Sequence, residues 1–355
     1  MIDYTAKTVY VGMDVHKKTY ALTCTCEGAV VKRAGMKADP EQLVIFLQRY
    51  FPGAKLKTAY EAGFSGFVLH RYLLNKGIEN IVVHAASIEI SARDRVKTDK
   101  RDSLKIATQL EAGRLRGIGV PSVEREAFRE ISRLRAKVAE DKRRIGNRFK
   151  SLLYRHGLLG AENAPKVGKR WMAKIVNEYS GHAAIKSVLE RLQKQWLYLR
   201  EEIKALDSEL TLQAQTDGAI DIIYQSAPGI GPHNARVLAN ELADMKQFKN
   251  EKQLFSFTGL TPSEYSSGEH KRQGHITRQG RPVLRMVLVQ AAWVAVEHDA
   301  ALLQIYERIS KTAGKKRAII GIARRLIGRI RSCFVNGTLY EYDKGNGSVP
   351  AVVIV

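Results

Sequence analysis

Residues 9–26 read VYVGMDVHKKTYALTCTC, and this stretch decides the fold class of the first third of the chain. Val9, Val11 and Met13 alternate with Tyr10, Gly12 and Asp14, the period of two that a half-buried strand requires. His16-Lys17-Lys18 interrupts the beat like a turn, and Tyr20, Leu22 and Cys24 resume it. The stretch therefore predicts a hairpin or two adjacent strands. Working outward, Asp39-Pro-Glu is a helix-start signal for a segment reaching Tyr50, with Leu43, Phe46 and Leu47 on one face. Residues 55–60, KLKTAY, predict a strand ending at Glu61. A helix over residues 63–75 and a short buried strand over residues 79–84 follow. Strands alternating with helices argue for an α/β domain around a central sheet, running from about residue 6 to about residue 118.

The character changes after Pro121. Residues 122–154 are rich in Arg, Lys, Glu, Ile and Leu, and Ser122 followed by Glu124 and Glu126 predicts a capped helix start. Ile131, Leu134, Val138, Ile145, Phe149 and Leu152 keep approximate helical spacing. Residues 183–212 predict a second long helix, carrying Leu189, Trp196, Ile203 and Leu210. The two helices can pair as an antiparallel hairpin, mediate dimerisation, or pack separately on their own domains. Gly160, Pro165 and Gly168 predict a loop between them. A third region, from about residue 225, reads as helical with Gly-rich interruptions and a heavily basic last part. Residues 345–355 read as a loosely attached tail.

The chain has 355 residues, with 58 Lys and Arg against 36 Asp and Glu, a formal net charge of +22. Hydrophobic residues at 45% and charged residues at 26% exclude a disordered chain. No stretch reaches the roughly 18 unbroken apolar residues of a membrane span. The first residues mix acid and base too early for a secretory signal. Cys24, Cys26 and Cys333 cannot staple a chain of this length, and Cys24-Thr-Cys26 lacks zinc-site spacing, so reduced thiols in a cytosolic protein are expected. The positive excess points to a polyanionic partner, with nucleic acid first among them.

Four acidic residues stand out by position. Asp14 lies on the first strand, Glu61 just past a later one, and Asp99 and Asp102 are three apart at the start of a further helix, hence on one face. Carboxylates converging at the edge of an α/β sheet bind Mg²⁺ through oxygen and leave room for waters and phosphate oxygens. Two metals about 4 Å apart would then activate a nucleophile and stabilise the leaving oxygen in phosphodiester cleavage. The bland alternative is that these carboxylates are surface partners of Lys97, Lys100 and Arg101.

Residues 226–231, SAPGIG, followed by the helix former ARVLANEL, resemble the hairpin of a helix-hairpin-helix module, in which Gly229 and Gly231 let backbone N–H groups approach a phosphate. A plain Pro-Gly turn is the alternative. Farther on, a loop rich in hydroxyls (Thr261, Ser263, Tyr265, Ser266, Ser267) is followed by Lys271, Arg272, Arg278, Arg281 and Arg285. A serine alcohol in such a cationic setting can attack a phosphodiester; a solvated loop whose cations only hold a nucleic-acid backbone fits the same residues.

Taken together, Asp14, Glu61, Asp99 and Asp102 in these contexts, with PGIG at residues 228–231 and GLTPxxYxSG at residues 259–268, make the chain resemble the insertion-sequence transposases of the IS one-ten family, relatives of the pilin-gene invertases. The likeness runs from about residue 8 to about residue 330. It implies an α/β resolvase-like (RNase H-like) domain with a DEDD metal site over residues 6–118 and a long helical coiled-coil connector over residues 122–215. It further implies a mainly α-helical transposase domain with a helix-hairpin-helix-like element over residues 220–335, leaving residues 336–355 as a tail. By the same resemblance Asp14, Glu61, Asp99 and Asp102 bind Mg²⁺ or Mn²⁺, and Ser267, just before Gly268, is the nucleophile, with Ser266 beside it. Also implied are donor and target DNA as partners, a structured guide RNA from the element's own non-coding end, and a tetramer assembled from dimers. In that tetramer the acidic domain of one subunit completes a site with the serine domain of another. A place in the bacterial cytosol, at the nucleoid when active, follows. Two rivals remain at this level: a metal-only Holliday-junction nuclease or resolvase, and a non-catalytic helix-hairpin-helix DNA-binding protein.

Overall fold

Buried on one face and open to close approach on the other, β1 (Thr8–Val15) is the centre of a five-stranded sheet. The computed structural model describes residues 3–89, 98–160, 165–264 and 273–341, and the chain divides at residue 120 into two units. In the first unit β1 pairs antiparallel with β2 (Thr19–Cys26), which pairs antiparallel with β3 (Ala29–Lys37). After α1 (Pro40–Tyr50), β4 (Lys55–Glu61) lies parallel to β1 on its other side. Then α2 (Val68–Asn75) leads to β5 (Glu79–Val83), parallel to β4, and α3 (Asp99–Glu111) completes the unit. The strand order is β3-β2-β1-β4-β5.

The period of two read from the sequence is the physical division of this sheet. Val9, Val11, Met13, Leu22 and Cys24 face α1 and α2 and share a core with Leu43, Leu47, Leu69 and Leu73. Ala59 and Val83 face the other way and pack with Ile106 of α3. On that second face the Thr23 and Ser103 hydroxyls are hydrogen-bonded at 2.9 Å. A mixed sheet with helices on both faces is consistent with the RNase H-like expectation. β3 was not anticipated: its pattern is half exposed and carries Lys32, Arg33 and Lys37, the charged dress of an edge strand rather than a clean alternation.

The second unit opens with α4 (Val123–Arg155), whose Ser122 cap accepts a hydrogen bond from the Arg125 N–H at 3.1 Å. α5 (Lys169–Glu178) and α6 (Ala183–Thr216) follow. Pairings between α4 and α6 ascend in one as they descend in the other: Arg125 with Asp217, Arg135 with Asp207, Lys142 over the Trp196 ring. The two long helices are therefore an antiparallel hairpin. Its far end is closed by Phe149, Leu153, Met172 of α5, Leu189 and Trp196. The predicted loop holds at residues 165–168, but α5 begins at Lys169, inside the stretch read as loop; its Trp171, Met172, Ile175 and Val176 have helical spacing, but ten residues between two glycine-bearing stretches are a short run to read as a helix.

Beyond the hairpin come α7 (Gly218–Ser226), α8 (Pro232–Leu242), α9 (Glu251–Thr258), the short antiparallel strands β6 (Pro262–Glu264) and β7 (Gln273–Ile276), α10 (Pro282–His298), α11 (Ala300–Ala313) and α12 (Lys315–Asn336). The core of this part is built by α10 and α12, with Leu284, Leu288, Ala291, Ile322, Leu326 and Ile330 fully buried. Among the described residues no single helix is long and apolar enough to cross a membrane.

Candidate metal and nucleic-acid sites

Gly12 brings the acidic residues together. A Cβ on Gly12 would lie 2.1 Å from the Ser103 carbonyl oxygen and 2.3 Å from the Ala107 nitrogen, so α3 rests directly on the backbone of β1. Two residues along the same face is Asp14; Asp102 immediately precedes Ser103 and Asp99 lies one turn before it, both in the first turn of α3. Carboxylates there are favoured by the N–H groups and dipole of the helix start. The strand register adds Glu61: Gly12 lies opposite Ala59 on β4, so Asp14 and Glu61, each two residues on, share this face at adjacent strand ends.

Oδ2 of Asp14 is 3.2 Å from Nε2 of His16, and that nitrogen is 3.4 Å from Oδ1 of Asp99. One donor atom from each of the three lies within 4.8 Å of the others, a spacing that one cation can bridge. Glu61 is exposed and outside this trio, and Asp102 has its Oδ1 3.4 Å from Nζ of Lys105. The Asp14 carboxyl is pushed above the ordinary aspartate range, chiefly by burial, with Asp99 and Asp102 adding repulsion and His16 opposing it. Mutual repulsion of carboxylates at one spot is what a divalent cation relieves, and two carboxylate oxygens with an imidazole nitrogen form a donor set that fits such an ion.

In the second unit, β6 and β7 pair Pro262 with Ile276 and Glu264 with Gln273. The loop between them, with Ser266, Ser267, Lys271 and Arg272, lies outside the described residues. Arg278 is exposed and holds a left-handed backbone, φ 57°. Arg281 caps α10 with its side chain 51% exposed, Nε 4.0 Å from the buried Glu241 carboxylate. Arg285 is turned inward: its Nη1 donates to the Gly280 carbonyl at 2.8 Å and to that of Thr258 at 3.4 Å. Gly229 has φ 77° and backs onto α10, where a Cβ would meet Ala291 Cα at 2.8 Å, so its missing side chain serves helix packing. Gly231 precedes α8, and a Cβ there would meet nothing within 4 Å.

With this geometry in view, two family models match the chain. One, described as a transposase of the DEDD type, covers residues 11–157; another, described as "Transposase IS116/IS110/IS902 family", covers residues 223–307. "Putative transposase y4rJ" of Sinorhizobium fredii is 32% identical over 311 residues, 79% of this chain and 76% of that one. The transposase for insertion sequence element IS1533 of Leptospira borgpetersenii is 25% identical over 342 residues, 93% of this chain and 96% of the relative. The chain belongs to the IS110 family of transposases. It is a DNA transposase/recombinase, and its DEDD domain implies divalent-metal use.

In this transposase, sequence reasoning missed two residues of the acidic site, Gly12 and His16. The signal for Gly12 was the period of two in β1, which places it on the face of Asp14; His16 follows the strand at the turn into β2 and carries no such signal. What the sequence does not carry is that a helix starting 83 residues downstream of His16 comes down on the Gly12 face with Ser103 and Ala107.

Proposed function

We propose that this insertion-sequence transposase cuts and rejoins DNA with Ser267 as nucleophile, assisted by a metal centre of Asp14, Glu61, Asp99 and Asp102. The observation that carries the metal half is the approach of Asp14 and Asp99 across Gly12, within 4.8 Å at the donor atoms. A bound Mg²⁺ or Mn²⁺ supplies Lewis-acid charge for a phosphate oxygen. Asp14 and Asp99 hold that charge at the end of β1, Glu61 extends the acidic face on β4, and Asp102 keeps Lys105 at its border.

Ser267 Oγ attacks phosphorus; the Oγ–P bond forms and the P–O bond to the departing deoxyribose oxygen breaks. The serine gives up its proton and the departing oxygen takes one up, so charge and atoms balance. The phosphodiester energy stays in the phosphoserine, and a DNA hydroxyl attacking in reverse rejoins the strands without an external energy source. Lys271, Arg272, Arg278 and Arg281 steady the phosphates. The net charge of +22 supports simultaneous grip on DNA and a structured guide RNA, with base pairing rather than side chains choosing the site. The working assembly in this reading is a homotetramer, with the α4–α6 hairpin as its coiled-coil connector.

Recombination halted on a nicked substrate tests the nucleophile. A protein–DNA adduct that survives denaturation and maps to Ser267 is expected, lost in Ser267→Ala and kept in Ser266→Ala. An adduct on Ser266 moves the nucleophile by one residue. Free ends without an adduct leave the acidic group as the only chemistry and defeat the serine reading.

A further inference from the structure

Beyond the four carboxylates, we infer that His16 is itself a metal ligand, making the centre a mixed nitrogen–oxygen site that holds Mn²⁺ in preference to Mg²⁺. The inference rests on the reading of Asp14 and Asp99 as a metal centre. Its observation is the position of Nε2, 3.2 Å from one carboxylate and 3.4 Å from the other, so the imidazole edge already stands in the gap between them. His16 directly follows β1, and its N–H donates to the Thr19 carbonyl at 2.9 Å, which pins its backbone to the turn joining β1 and β2 beside Asp14.

The other members of the acidic face are placed differently. Asp102 has Lys105 at 3.4 Å, and Glu61 lies outside the group whose donor atoms are within 4.8 Å. The three donors closest to one another are therefore two oxygens and one nitrogen, not four oxygens. Mg²⁺ demands near-ideal oxygen octahedra and sheds water reluctantly. An imidazole suits the first-row transition metals, and carboxylates with water suit Mn²⁺, so the mixed set selects Mn²⁺ among the hard divalent ions. The 46% exposure of the His16 side chain leaves the ring room to turn and admit the ion between itself and the carboxylates.

Mn²⁺ titrated into the full chain, read by electron paramagnetic resonance with pulsed detection of nitrogen coupling, tests this without any strand cleavage. The expected result is one tight Mn²⁺ site with coupling from a single ¹⁴N. In His16→Gln the coupling disappears and Mn²⁺ affinity falls about tenfold or more, with a smaller loss for Mg²⁺ measured by competition. Circular dichroism of the variant guards against misfolding, and His16→Asn serves as the second variant. Mn²⁺ binding that is lost in Asp14→Asn yet shows no nitrogen coupling in the wild type overturns His16 as a ligand and leaves the carboxylate centre standing. Coupling that persists in both His16 variants overturns it equally. Mn²⁺ binding indifferent to Asp14→Asn overturns the metal centre itself, and the inference with it.

Discussion

Gly12 shows how much of the acidic site hangs on one missing side chain. The atoms a Cβ would strike, the Ser103 carbonyl at 2.1 Å and the Ala107 nitrogen and Cα at 2.3 and 2.9 Å, are all backbone and cannot swing aside like the end of a long side chain. Gly12→Ala must therefore lift α3 from β1 or strain both. Overpacking of this kind costs about 1–3 kcal/mol. The same displacement carries Asp99 away from Asp14, so the variant is expected to lose thermal stability and Mn²⁺ affinity together. A variant that melts early but binds Mn²⁺ as tightly as the wild type would show that the acidic group does not depend on this contact. The carboxylates were legible in the sequence because strand ends and a D-x-x-D helix start are local patterns. Gly12 and His16 were not singled out, because a glycine in a strand or a histidine at the turn after it says nothing of what descends on it from a distant helix.

At the scale of elements, the long helices were legible and their fastening was not. Residues 122–154 and 183–212 predicted α4 and α6 to within a few residues, because thirty residues of sustained periodicity average out local noise. The base of the hairpin is a buried charge network that only the fold assembles. Asp217 accepts hydrogen bonds from Arg125 of α4 and Arg236 of α8; burial is the largest single influence on it, but these bonds together hold its carboxyl low. Asp221 of α7 is buried beside them, with Arg236 Nη1 at 3.4 Å but neither oxygen hydrogen-bonded. Burial pushes it up to about 6 from 3.8, with Asp217 adding to the rise and Arg236 and Arg125 opposing it. A raised carboxyl pKa means that the stability from its neutral form is complete below pH 3.8 and is lost as pH climbs through about 6. Asp221→Asn, neutral at every pH, should therefore melt close to the wild type at pH 4 and above it at pH 8, by an amount on the order of 1–3 kcal/mol. Parallel melting curves for the two proteins across that range would mean that the charge on Asp221 is compensated in the fold.

For the whole molecule the excess of 22 positive charges was legible at once, but which cations remain available to a polyanion was not. Many of the arginines are consumed internally. Arg133 donates to Glu241 at 2.8 and 3.1 Å, Arg135 donates to Asp207 at 2.9 and 3.2 Å, and Arg329 donates to Asp299 at 2.7 Å. Arg331 donates to the Phe248 carbonyl at 3.0 Å, and the Arg324 guanidinium lies 4.8 Å over the Phe255 ring. Counterion release separates these from the cations that meet phosphate, because each neutralised phosphate on duplex DNA contributes about −0.9 to the log–log slope of affinity against salt. The basic set after β7 divides on this criterion. Arg278 and Arg281 are exposed, whereas Arg285 spends its guanidinium on the Gly280 and Thr258 carbonyls, and burial first and Arg278 second push its pKa down. Binding of the full chain to a duplex, followed by fluorescence anisotropy across a salt series, should give a steep slope. Arg278→Gln and Arg281→Gln should each make it shallower by about 0.9 with little change in melting temperature. Arg285→Gln should leave the slope unchanged and lower stability by about 1 kcal/mol, since two backbone carbonyls lose their donor. If Arg285→Gln instead flattens the slope while melting like the wild type, its inward hydrogen bonds give way to phosphate when DNA binds, and the division of the basic surface drawn from its geometry is wrong.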